Sequence, residues 1–191
     1  SVLPTPLHKL ENISNITGAN IYCKRDDLTG FGMGGNKTRK LDFLIADALE
    51  QGADTVVTAG ANQSNFCRMT AAACAANNIE THLVLGGTEP DVPTGNLLLD
   101  HIFGAVIHHV SSKDWDDWEA EAQRLASEFT TAGRTVLRLP VGGSVPIGSL
   151  GYVSALDEII VQSEQMGITF DAVIHATSSA GTQSGLAVAK A

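Results

Sequence analysis

The sequence contains no apolar run approaching the roughly 18 residues that a membrane-spanning helix requires, and its first residues, SVLPTPLHKL, lack the charged-then-apolar order of a secretory signal. A cytoplasmic protein with no membrane partner is expected. Cysteine is scarce. Cys23, Cys67 and Cys74 are odd in number and show no C-x-x-C spacing, which argues against a disulfide framework or a zinc knuckle. Cys67 and Cys74 lie seven apart in a helical pattern and are read as small buried hydrophobes. The six histidines, including the adjacent His108 and His109, show no spacing to other metal ligands, so no metal is expected. Positive charge is also sparse: 12 Lys and Arg against 21 Asp and Glu give a net charge of -9, which excludes general nucleic-acid binding. No repeat or low-complexity linker is visible.

What is present is a chain of 191 residues, 43% hydrophobic and 17% charged, long enough for one ordinary domain or two small ones. Short β-branched runs alternate with longer helical patterns. Strands are expected at 20–25, 54–60, 81–87, 105–110, 135–142 and 171–177. Helices are expected from Asn36 (apolar stripe Leu41, Leu44, Ile45, Ala48, Leu49), after Ser64, at about 94–103, 113–131 and 148–166, and from near Thr182. This alternation predicts an α/β fold with mostly parallel strands, and with ligands beyond the carboxyl ends of those strands.

Three loops then stand out. In GFGMGGNKTRK, Gly30-x-Gly32-x-x-Gly35 satisfies a dinucleotide pattern, but the polar KRDDLT intervenes between strand and glycines. The Walker pattern fails because Asn36 separates Gly35 from Lys37. What remains is a glycine-rich approach that brings Lys37 to a helix start with Lys40 one turn on; five of the twelve basic residues cluster here. The helix dipole and partial burial would both depress the Lys37 pKa toward a nucleophilic amine able to form a Schiff base, although an ordinary solvent-facing lysine is the simpler account of this loop alone. In TAGANQSNFCR, Ser64 and Asn65 at a helix start suit a carboxylate, or serve merely as caps. In ATSSAGTQSGL, Ser178, Ser179, Ala180, Gly181 and Thr182 offer amides and hydroxyls at a helix N-terminus, a recipe for phosphate binding. An amine, a carboxylate cradle and a phosphate cradle on three strand-end loops together describe a Schiff-base cofactor site.

The strings IYCKRDDLTGFGMGGNKTRKLDFL, GANQSNFCR, LPVGGSVPIGSLGYV and ATSSAGTQSGL, in this order, resemble the fold-type II pyridoxal-phosphate enzymes of the D-cysteine desulfhydrase and 1-aminocyclopropane-1-carboxylate deaminase family. The resemblance covers essentially the whole chain. It implies two domains, with residues 1–50 and 155–191 in an incomplete large cofactor-binding domain and 51–154 forming a small α/β domain. It further implies that Lys37 holds pyridoxal 5'-phosphate and shuttles the proton, that Lys40 and the Ser178–Thr182 turn contact the phosphate, and that Asn65 meets the pyridine hydroxyl or the substrate carboxylate. Ser64 is implied as a catalytic contact to the carboxylate or reacting carbon, and Phe66 as an apolar replacement for a usually polar substrate contact.

PVGGS followed by PIGSLGYV resembles the desulfhydrase branch more than the deaminase branch, which implies α,β-elimination from D-cysteine to pyruvate, ammonia and sulfide. Ring-opening of the cyclopropane substrate or sulfite release from L-cysteate are the alternatives, and a homodimer is implied. A non-catalytic cofactor-binding fragment is the competing expectation from a different class, and a nucleotide-binding protein a third. The sequence departs from the family at Ser178 and Ala180, where glycines are common. It also stops within the helix after the phosphate loop, before the family's partner of the pyridine nitrogen and its substrate-side aromatics, so a longer protein or a second chain is expected to complete it.

Overall fold

The computed structural model describes residues 1–190. Its centre is a four-stranded, all-parallel sheet of β3 (Thr55–Ala61), β4 (Glu80–Gly86), β5 (Val106–Val110) and β6 (Val136–Arg138), in the order β5-β4-β3-β6. Before it come β1 (Leu7–Lys9), α1 (Glu11–Thr17), β2 (Tyr22–Lys24) and α2 (Thr38–Glu50). Helices α3 (Asn65–Ala76), α4 (Gly95–Ile102) and α5 (Trp115–Thr131) connect the sheet strands, and α6 (Pro146–Met166) and α7 (Gly181–Lys190) follow. Every residue from Thr55 to Gly60 in β3 is buried, as expected of a central strand covered on both faces.

Alternation along that strand divides the core. Val56 packs with Leu41, Leu44, Ile45 and Ala48 of α2 and with Phe66, Met69, Ala73 and Cys74 of α3. Val57 and Ala59 point the other way, onto Trp118, Ala122, Leu125 and Ala126 of α5. Chain order across the sheet runs outward from β3 to β4 to β5 and then returns to place β6 on the other side of β3. The order therefore reverses between β3 and β6, and the loops leaving these two strands flank the crevice where open α/β sheets bind ligands.

Most expected elements are found, with shorter strands at 22–24 and 136–138. Three expectations are corrected. Residues 171–177 form no strand, because β propensity is realised only where a neighbouring strand supplies hydrogen bonds, and none among the described residues pairs with them. Ile174 there is 95% exposed. Tyr22–Lys24, expected within a mostly parallel sheet, pairs antiparallel with Leu7–Lys9 in a separate two-stranded sheet. Leu49, assigned to the buried stripe of α2, is exposed, since the core-facing row ends at Ala48. Cys67 and Cys74 are buried as expected, and burial pushes their thiols up to about 12 and about 11.

Polar contacts inside the fold fix where α2 sits. Arg39, almost fully buried, grips Asp26 with Nε and Nη2 at 2.9 and 2.8 Å and reaches Glu158 on α6 with Nη1 at 3.0 Å. Thr5 joins the same group through Arg39 Nη2 at 3.0 Å, and Lys24 also pairs with Glu158. The N-terminal segment, the turn after β2, α2 and α6 are thus tied at one guanidinium.

Asp100 of α4 is different. It is fully buried with both carboxylate oxygens unpartnered among the described residues, and burial pushes its pKa up to about 7 against the attraction of Arg68.

Two outcomes are expected. Arg39→Met strands Asp26 beside Glu158 and lowers unfolding free energy by about 3–5 kcal/mol in urea titrations. Because the Asp100 pKa lies above its ordinary value of 3.8, the folded state holds the extra proton across the intervening range, so this group's contribution falls as pH rises from about 4 to about 7. Asp100→Asn removes that slope, and its stability relative to wild type rises across the same window in pH-dependent unfolding.

A candidate amine and anion site at the strand ends

The glycine-rich loop is held by backbone geometry that other residues do not tolerate. Gly34 has φ +75°, and a Cβ there would stand 2.0 Å from the carbonyl oxygen of Asp27. Thr29, fully buried, accepts the Gly35 N–H at 3.1 Å and lies 3.1 Å from the Thr38 hydroxyl. The loop therefore arrives at α2 in a fixed conformation. Lys37 is the residue immediately before Thr38 and caps the helix with backbone only, so the helix starts two residues later than the Asn36 read from the sequence, and Lys37 stands at its cap rather than inside its first turn.

Lys37 opens onto a cleft of about 710 Å³ whose walls include Asn36, Tyr152 and the whole turn from Ser178 to Thr182. Burial lowers its pKa. Tyr152 Oη donates to the Asn36 carbonyl at 3.0 Å and so holds the residue next to the lysine. Burial pushes that phenol up to about 12.

Lys40 lies one turn along, almost fully buried. Its Nζ donates to the Gly142 carbonyl at 3.0 Å and to Ser144 Oγ at 3.3 Å. Ser144 Oγ in turn donates to Ser179 Oγ at 2.7 Å. The lysine presses against the start of α7: a Cβ at Gly181 would fall 2.5 Å from Nζ and 3.1 Å from Ser144 Cα. Burial first, and the neighbouring Lys37 charge second, push the Lys40 pKa down to about 8.

Neither Lys37 nor Lys40 forms an ion pair among the described residues; the acceptors found for Lys40 are neutral oxygens. Two adjacent amines in a partly dry site, facing hydroxyls and free amides at a helix start, favour an anion as the missing counter-charge. Ala180 contributes to this cradle with φ +62°, a left-handed conformation that a Cβ makes costly, which accounts for the preference for glycine noted at that position.

Ser64 and Asn65 stand at the start of α3 and do not line the Lys37 cleft. Ser64 Oγ caps the helix by accepting the Cys67 N–H at 3.2 Å. Asn65 is exposed, and its Oδ1 accepts from Asn96 Nδ2 at 3.0 Å and from Arg68 Nη2 at 3.4 Å. The expectation for Phe66 is corrected. Its ring is 2% exposed in the core shared by α2 and α3, with its edge 2.7 Å from a Cβ placed on Gly143, so it presents no surface to a ligand. The turn of about 100° per residue along α3 carries the side chain after Asn65 inward. Gly142, Ser144 and Tyr152 carry no role in the sequence reading; the loop after β6 would have drawn attention to Gly142 and Ser144 had the reversal of strand order been known, while Tyr152 lies in α6.

The family model described as pyridoxal-phosphate dependent enzyme matches residues 1–191. A relative from Serratia proteamaculans named D-cysteine desulfhydrase is 44% identical over 96% of this chain and 57% of its own length. A Pyrococcus furiosus relative, provisionally named a 1-aminocyclopropane-1-carboxylate deaminase, is also 44% identical, over 96% of this chain and 55% of its own. A crystal structure of an ACC deaminase homologue superposes with a TM-score of 0.93 at 44% identity, covering 98% of this chain and 56% of that one. The apo diaminopropionate ammonia lyase of Escherichia coli shares the fold at TM-score 0.79 and 20% identity, over 98% and 54% of the two chains. The chain thus spans a little over half the length of the relatives it matches. With a matching family model over its full length and relatives at this identity, the chain belongs to the pyridoxal-phosphate dependent enzyme family, with the fold-type II architecture.

Proposed function

We propose that these residues form the cofactor-holding part of a lyase that performs α,β-elimination on a small amino acid, D-cysteine being the favoured substrate, with pyruvate, ammonia and sulfide as products. The observation that carries this reading is the pair of amines with no carboxylate partner among the described residues, Lys40 buried and Lys37 half-buried and open to the cleft lined by the Ser178–Thr182 turn. These residues fit pyridoxal 5'-phosphate: Lys37 is the attachment point, and the α7 start, backed by Lys40 and Ser144, takes the phosphate. When bound, the cofactor supplies an electron sink for the charge left by removal of the α-proton.

The rest of the work falls to the chain itself. Burial holds Lys37 Nζ toward its free-base form, fit to attack a carbonyl carbon and later to accept the α-proton. Lys40, held by Gly142 and Ser144, offers positive charge below the helix start without competing for the cleft. Tyr152 keeps the Asn36 backbone, and hence the base of Lys37, in place. Asn65 and Ser64 serve the substrate carboxylate or the pyridine hydroxyl from the small-domain side. The division into a small domain, 51–154, and a part of a large one, 1–50 and 155–191, is supported by the confinement of the parallel sheet to the former. Three free thiols, two of them buried, support a cytoplasmic setting.

The motif PVGGS with PIGSLGYV, together with the desulfhydrase name of the Serratia relative, supports D-cysteine. The similarity to the ACC deaminase homologue keeps the cyclopropane substrate as the second reading.

Full-length protein loaded with the cofactor is expected to release pyruvate from D-cysteine faster than it acts on 1-aminocyclopropane-1-carboxylate or L-cysteate, with Lys37→Ala at least about a thousandfold slower. A four-carbon 2-oxo acid from the cyclopropane substrate as the main product would favour the second reading. No turnover and no Lys37-dependent visible absorbance would favour the non-catalytic one. Gly181→Ala and Lys40→Met are each expected to reduce the preference for pyridoxal phosphate over pyridoxal by about tenfold in absorbance titrations of the apo protein.

A further inference from the structure

Arg68, on the first turn of α3, is 4% exposed and has no place in the site as described so far. Its Nη2 donates to the Gly34 carbonyl at 2.9 Å and to Asn65 Oδ1 at 3.4 Å. The two hydrogens of that nitrogen are therefore spent on the loop that delivers Lys37 and on the side chain that starts α3. Asp100 supplies the nearby opposite charge.

The identity of the Asn65 atoms follows from its partners. A guanidinium can only donate. Asn96 Nδ2 also donates, because the same group bonds the Gln63 carbonyl at 2.8 Å. The atom of Asn65 that meets both must be the amide oxygen, so the NH₂ group is the half left free on an exposed side chain. The Asn96 amide is itself fixed, since its backbone N–H donates to Gln63 Oε1 at 2.9 Å and Gln63 Nε2 donates to the Thr94 carbonyl at 3.0 Å.

We infer that Arg68 is a positioning residue that acts through Asn65: it holds the amide with its NH₂ outward, as a hydrogen-bond donor, and pins it to the glycine loop ahead of Lys37. An outward donor suits an acceptor oxygen, and a phenolate or a carboxylate is the stronger acceptor than a neutral hydroxyl. The inference rests on the functional reading above for the nature of that oxygen, but the orientation of the amide does not. A lysine at position 68 keeps the charge but lacks the rigid planar fork from which Arg68 Nη2 reaches both acceptors.

The test uses full-length protein and two readouts. In protein carrying ¹⁵N only at asparagine, the Asn65 side-chain NH₂ signals are assigned by their loss in Asn65→Ala. They are expected to shift or broaden in Arg68→Met and to return toward the wild-type position in Arg68→Lys. Unchanged Asn65 signals in a folded Arg68→Met protein overturn the inference.

Affinity of the apo protein for pyridoxal phosphate is expected to fall about tenfold in Arg68→Met, and the same substitution made on Asn65→Ala is expected to have less than a twofold further effect. Full additivity in that cycle assigns Arg68 to core stability alone and also overturns the inference. Failure of the wild-type protein to take up the cofactor at Lys37 contradicts the functional reading instead, and the asparagine spectrum then decides the role of Arg68.

Discussion

Two neighbouring lysine amines, Lys40 buried and Lys37 half-buried beside the cleft, with no carboxylate among the described residues to neutralise either, form the constraint on which the structure turns. Burial disfavours the charged form of both, and the Lys37 charge further disfavours that of Lys40. A fold that only needed stability would replace one of them with an apolar side chain of similar volume. Here the strain is relieved by chemistry rather than by packing: one amine can stay neutral and react, and the other can stay charged if an anion lies at the helix start against which it is pressed. That asymmetry is set by location, since Lys37 opens to the cleft while Lys40 is spent on Gly142 and Ser144.

The rest of the architecture serves to hold these two groups still. The reversal of strand order between β3 and β6 brings the α3 start and the Gly142–Ser144 loop to one crevice. Arg39, two residues after Lys37, anchors the first turn of α2 to Asp26 and to α6 from the opposite side. Ser144 then links Lys40 to Ser179, which carries the register of α2 across to α7. A path of neutral hydrogen bonds and one buried ion cluster thus connects segments more than a hundred residues apart in sequence.

Much of this was legible in the sequence, for identifiable reasons. The parallel sheet announced itself by β-branched runs separated by amphipathic helices, and the burial of Cys67 and Cys74 by their spacing on one helix face. That Lys37 and the Ser178–Thr182 turn stand at helix starts was legible because glycines and small polar residues mark such starts, although capping alone would explain each singly. Phe66 was misread because its neighbours Ser64 and Asn65 are solvent-facing, and only the helix phase shows that the next side chain turns into the core. The 171–177 run was misread because strand propensity is local while strand pairing is not. The roles of Ser144, Tyr152 and Arg68 depend on contacts across 35, 116 and 34 positions, which no local pattern encodes.

Division of labour between the two amines is the part of the account most open to a direct check. Full-length protein loaded with pyridoxal phosphate, reduced with borohydride and digested, yields a single pyridoxyl-bearing peptide whose position is read by fragment mass spectrometry. The account predicts the label on Lys37 with Lys40 unmodified. A label on Lys40, or on neither lysine, would contradict it.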